Sequence, residues 1–156
     1  MTSWIFQGNP NRFRINDYLL SRQVILWDIR QDYYADKITI DSDVFIWRSD
    51  EKNIPGGIIA IGKIISLPTN FPDDAARFWL VQQKKPTTLR VKIKLGEVRV
   101  DEKNGMLTRF KLAQEPLLAN MKILSFFSQT NYVLADNHAK RLKEIWAEQK
   151  EETNSS

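Results

Sequence analysis

A chain of 156 residues with no cysteine and 23 basic against 19 acidic side chains has the size of one ordinary domain. It can bury about two thirds of its unfolded surface, so no disulfide staple is needed, and thiolate metal sites are excluded. The net charge of +4 permits a polyanionic partner without requiring one, and no stretch approaches the roughly 18 apolar residues of a membrane span.

Met1 to Phe6 lacks the basic-then-apolar order of an export signal. With no thiols to oxidise, a cytoplasmic protein without a membrane partner is the expectation. Trp4 to Gln7 predicts a strand that runs into the dense turn chemistry of Gly8, Asn9, Pro10 and Asn11. Ile15, Tyr18 and Leu19 recur at helical spacing, with Asn11 or Asn16 as candidate caps. The apolar run from Val24 to Leu26 then leads into Trp27, Asp28, Ile29, Arg30 and Gln31. An aromatic beside a carboxylate, a guanidinium and an amide has the mixed chemistry of a pocket wall.

Asp41 to Asp43 reads as a turn, Val44 to Trp47 as a buried strand, and Ile58 to Ile65, opened by Gly56 and Gly57, as its hairpin partner across a long polar loop. Pattern is weakest from Pro68 to Pro86, although Asp73 or Asp74 could cap a short helix through Ala75, Ala76 and Phe78. Thr87 to Leu95 alternates almost strictly, with Leu89, Val91, Ile93 and Leu95 on one face and Arg90, Lys92 and Lys94 on the other. Asp101 to Gly105 is a turn, and Pro116 suits the first turn of a helix carrying Leu117, Leu118 and Met121. A closing helix starts near Asp136, with Leu142, Ile145 and Trp146 inward. One domain over residues 1–150 with a polar, frayed tail at 151–156 is expected, an α+β barrel-like fold of five or six strands flanked by short helices.

Catalytic and metal signatures are sparse. The single histidine, His138, sits among polar residues at a helix start, where a solvated role is the plainer one, and Ser-His chemistry or zinc binding would need more. Gly62 and Lys63 are followed by Ile64 where a phosphate loop needs Ser or Thr. Aspartate pairs fall in turn contexts that capping explains. No catalysis and no cofactor are called for.

Aromatic and basic residues remain. Trp4, Trp47 and Trp146 lie on apolar periodic faces and read as core, whereas Trp27 and Trp79 have polar neighbours. Two facing aromatics can sandwich a flat ring whose edge nearby polar groups such as Arg30 and Gln31 read. Arg90, Lys92 and Lys94, with Lys84 and Lys85, are candidate contacts to a nucleic-acid backbone, though a solvated strand face explains the first three equally well.

Trp4 to Pro10, Trp27 to Gln31, Asp43 to Ser49 and Gly57 to Gly62 resemble, in order and spacing, successive blocks of an EVE domain. That family belongs to the PUA-like superfamily of β-barrels with flanking helices, which includes the YTH readers of methylated adenine in RNA. The resemblance implies a module that recognises a methylated or hydroxymethylated cytosine or adenine in DNA or RNA, flipped into an aromatic cage. Trp27 matches the first cage tryptophan; Trp79, or Phe78 in its place, resembles the second; Gly8, Asn9 and Pro10 resemble the loop that contacts base and sugar. Asp28 stands where YTH proteins read the base edge, and a carboxylate there accepts from exocyclic amino groups. The alternative is a small-molecule or protein interaction module using the same pocket.

Overall fold

The computed structural model describes residues 1–82 and 89–155. Its first strand, β1 (Ser3–Gly8), feeds the short helix α1 (Ile15–Leu20), after which β2 (Val24–Asp28), β3 (Asp43–Arg48) and β4 (Gly57–Ile64) follow. A two-residue strand, β5 (Thr69–Asn70), precedes the long β6 (Leu89–Val98), and β7 (Leu107–Thr108) leads into α2 (Arg109–Ala113). Helix α3 (Lys122–Ser125), strand β8 (Asn131–Leu134) and helix α4 (Asp136–Ser155) complete the chain.

One mixed sheet in the order β2-β6-β4-β3-β1-β8 curls into a half-barrel, with β5 on β6 and β7 on β4. All pairings are antiparallel except β1 with β3. Register shifts at Ile46/Trp47 and at Ile61/Gly62 interrupt the ladders, the kind of irregularity that bends a sheet. Both faces are covered, which is why β1 and β3 read as continuous apolar runs. Trp4 and Phe6 enter one core with Ile25, Trp27 and Ile93, while Ile5 enters a second with Phe45, Leu142, Ile145 and Trp146. Trp4, Trp47 and Trp146 are all buried, as their periodic faces predict.

The inner side of α4 is tied down by Arg99. Its guanidinium stacks 3.8 Å from the Trp146 ring centroid, donates to the Trp146 carbonyl at 2.7 Å, and meets both Glu97 carboxylate oxygens at 3.0 Å.

Three local readings change. Residues 116–121 form successive three-residue turns, with Leu118 N–H donating to the Glu115 carbonyl and Met121 N–H to that of Leu118. Their buried anchors, Leu118 and Met121, are spaced by three, which turns satisfy as well as a helix. Helix α1 has Arg14 at its N-cap and no side-chain cap, so neither Asn11 nor Asn16 serves. Helical backbone in α4 runs on to Ser155, past the expected start of the tail. No helix among the described residues is long and apolar enough to cross a membrane.

Candidate functional site

A cavity of about 1230 Å³ is bounded by the ends of β1 and β2, the 73–82 segment and the 123–130 segment. Its wall brings together Trp27, Asp28, Trp79 and Arg90 from the one-dimensional candidates, with Gly8, Asn9 and Arg30 beside them.

Trp27 has two loyalties. It is 6 % exposed and packs in the core with Ile15 and Ile25, yet it also lines the cavity. Gly8 makes that placement possible, because a Cβ there would sit 3.3 Å from Cη2 and Cζ2 of the Trp27 ring and 2.8 Å from Ile15 Cδ1. Asn9 shapes the following turn, its Oδ1 accepting from Asn11 N–H at 2.9 Å. Pro10 follows in the same turn and is not part of the wall.

Trp79 and Phe78 part company. Phe78 is buried, 5.3 Å from the Tyr18 ring and 6.4 Å from that of Phe13, and belongs to the core. Trp79 is half-buried, rests on Phe13 at 4.7 Å between centroids, and forms part of the wall. The segment is stitched to the loop after β1 by Arg14 N–H donating to the Phe78 carbonyl and Leu80 N–H to that of Arg12, both at 2.8 Å.

Arg90 is not a surface cation. It shares a strand face with Lys92 and Lys94, but only those two are exposed; Arg90 is buried where the 69–78 segment covers the end of β6. Its Nε donates to Asp28 Oδ1 at 2.9 Å and its Nη1 to the Phe71 carbonyl at 2.7 Å. Arg30 Nη2 reaches Asp28 Oδ2 at 3.1 Å. Burial nonetheless pushes the Asp28 carboxyl above the usual carboxylate range, against the pull of both arginines.

Gln31 is engaged in holding the chain. Its Oε1 accepts from Thr130 N–H at 3.0 Å and Asn131 N–H at 2.8 Å. In return the fully buried Asn131 accepts at Oδ1 from the Arg30 and Gln31 backbone N–H groups and donates from Nδ2 to the Asp28 carbonyl. The reciprocal amide clamp fixes the backbone on which Asp28 and Arg30 stand.

Sequence reasoning missed the 123–130 wall, Asn131, and the rim arginines Arg12 and Arg109. Arg109 Nε donates to both carboxylate oxygens of Asp50, at 2.9 and 3.0 Å. Lys84 and Lys85 lie outside the described residues. His138 sits on α4 with its ring nitrogen 3.1 Å from Asn120 Oδ1, apart from the cavity, and no cluster of three potential metal ligands occurs among the described residues.

The curled mixed sheet with short flanking helices is the PUA-like architecture. Within that class the chain belongs to the EVE domain family, whose model matches residues 2–144. No curated protein matches by sequence. Similar solved structures include a hypothetical protein from Leishmania major, at 17 % identity and TM-score 0.68 over 96 % of this chain and 97 % of that one. Human THYN1 protein in complex with 5-methylcytosine-containing DNA aligns at 15 % identity and TM-score 0.66 over 94 % and 98 %. The YTH domain of the Zygosaccharomyces rouxii MRB1 protein, in complex with N6-methyladenosine RNA, aligns at 11 % identity and TM-score 0.56 over 92 % and 86 %.

Proposed function

We propose that this chain is a non-enzymatic, cytoplasmic reader of a modified base carried by DNA or RNA, and that the base is flipped into the cavity between Trp27 and Trp79. The observation that carries the reading is the joint presence of both indoles and the Asp28 carboxylate in one cavity wall. A purine or pyrimidine presents two π-faces and a polar edge, and this wall offers aromatic surface for the former and an acceptor for the latter. EVE membership and the modified-base complexes of two similarly folded proteins support the same class of ligand.

Asp28, Arg30 and the Gly8-Asn9 turn are the edge-reading groups in this account, and Gln31 acts by holding them. Arg12 at the rim, with Lys92 and Lys94 farther along β6, contacts the phosphate backbone. The test is a binding screen of DNA and RNA oligonucleotides carrying methylated and hydroxymethylated cytosine or adenine against unmodified controls. Preference for one modified base, with affinity falling steeply as salt rises, is the expected result. Tight, salt-independent binding of a free base would replace this reading with a small-molecule pocket.

A further inference from the structure

Phe127 is the most exposed aromatic residue lining the cavity, at 71 %, on a segment that also contributes Leu124 and Gln129 to the wall. A lone exposed apolar residue is ordinary on a protein surface. What sets this one apart is that its backbone is held fast while the ring stays in solvent. Gln7 Nε2 donates to the Phe127 carbonyl at 3.0 Å and to that of Gln129 at 2.7 Å. The Tyr132 hydroxyl donates to the Phe126 carbonyl at 2.8 Å and accepts from Gln129 N–H at 3.0 Å. Thr130 is bonded from both sides, its N–H to Gln31 Oε1 and its carbonyl to Gln7 N–H. The loop therefore presents the Phe127 ring from a hydrogen-bonded backbone at the cavity into which a base would move, whereas its exposed neighbour Phe126 lies against Lys122 Nζ, 5.4 Å from its ring centroid, and does not line the cavity.

Extruding a base from a duplex leaves a gap in the stack and costs unpairing and unstacking energy, a cost that a single strand largely escapes. Proteins that part base steps do so with apolar wedges, phenylalanine among them. Resting on the base-reading function above, we infer that Phe127 enters the gap left by the flipped base and that the preferred target is therefore a modified base within a double-stranded nucleic acid.

The experiment compares wild type, Phe127→Ala and Phe127→Leu on DNA and RNA carrying 5-methylcytosine, 5-hydroxymethylcytosine or N6-methyladenine, each as a single strand and as the annealed duplex. Phe127→Ala is expected to bind the preferred duplex about tenfold more weakly, the loss of roughly one ring-on-base contact, and the same single strand within about twofold of wild type. Phe127→Leu, still an apolar wedge, is expected to recover most of the duplex affinity. The exposed position leaves folding unchanged, which thermal unfolding verifies. Equal losses on both forms, or no loss on the duplex, overturn the wedge while leaving the pocket intact so long as wild type still prefers a modified base. Failure of wild type to prefer any modified base in either form overturns the pocket and the wedge together.

Discussion

Asp28 and Arg90 are register partners across β2 and β6, and Arg90 Nε donates to Asp28 Oδ1 at 2.9 Å from a side chain only 6 % exposed. The pair stands in the cavity wall, so the group that would read a base edge is held by a cation unable to leave.

Arg90→Met takes one of two cations, Arg30 being the other, from a carboxyl that burial already pushes upward. At neutral pH the variant should lose on the order of 3 kcal/mol, as a buried pair broken from one side does. The sign with pH follows from a raised folded pKa: whatever Asp28 contributes to stability is full below its ordinary value and lost as pH rises through the raised one. The deficit of Arg90→Met should therefore shrink on acidification, and Asp28→Asn/Arg90→Met should be less damaged than Arg90→Met at neutral pH. Unfolding curves between pH 4 and 8 decide the matter; a pH-independent deficit would contradict it.

Asn131→Ala empties one half of the amide clamp and leaves the Asp28 carbonyl and the Arg30 and Gln31 N–H groups without their side-chain partner. Each such buried group costs about 1 to 3 kcal/mol, so a substantial drop in melting temperature is expected. Binding should weaken as well, since the backbone carrying Asp28 is no longer fixed. An unchanged affinity in a folded Asn131→Ala protein would separate the clamp from the site.

Salt dependence distinguishes the cations. Replacing Lys92 and Lys94 by Gln is expected to flatten the slope of log affinity against log salt by up to about two units, and Arg12→Gln by about one. Each of the two variants should weaken binding to every sequence alike. A slope that stays put for Lys92 and Lys94 would make that face solvated surface alone.

Arg99 offers a control far from the pocket. Arg99→Met removes the side-chain donor to the Gly105 and Trp146 carbonyls and the cation over the Trp146 ring, while Trp146→Ala opens a cavity costing about 3 to 5 kcal/mol. Both should lower stability and leave the preference for a modified base unaltered, as measured by thermal unfolding and affinity on the same samples.

How much of this was legible in the sequence depended on the range of the interaction. Alternation placed β6, apolar runs placed β1, β3 and β4, and helical spacing placed α4, because each is a local pattern. The same alternation put Arg90 with Lys92 and Lys94, correctly for the face but not for the environment, since nothing local says that residues 69–78 will cover one end of the strand. Strand β8 has four residues and no periodic run, and it exists because β1 offers it an edge. Gln31 and Asn131 are 100 residues apart, so a sequence that reads Gln31 as a ligand group cannot reveal that its carbonyl is already engaged. Trp27 and Trp79 were found because polar neighbours marked them off from the periodic tryptophans. Phe78 and Trp79 could not be told apart until the stitch to residues 12–14 turned one inward and left the other at the cavity.

The most direct test is the ratio of affinities for a modified and an otherwise identical unmodified oligonucleotide, measured for wild type and Trp79→Ala at one salt concentration. Trp79 is half-buried, so its removal should leave the fold standing where Trp27→Ala would also disturb the core. If the base is stacked between the two indoles, Trp79→Ala should cost about 1 to 3 kcal/mol of binding to the modified oligonucleotide and bring the ratio toward one. A folded Trp79→Ala protein that keeps the full wild-type ratio would contradict the account.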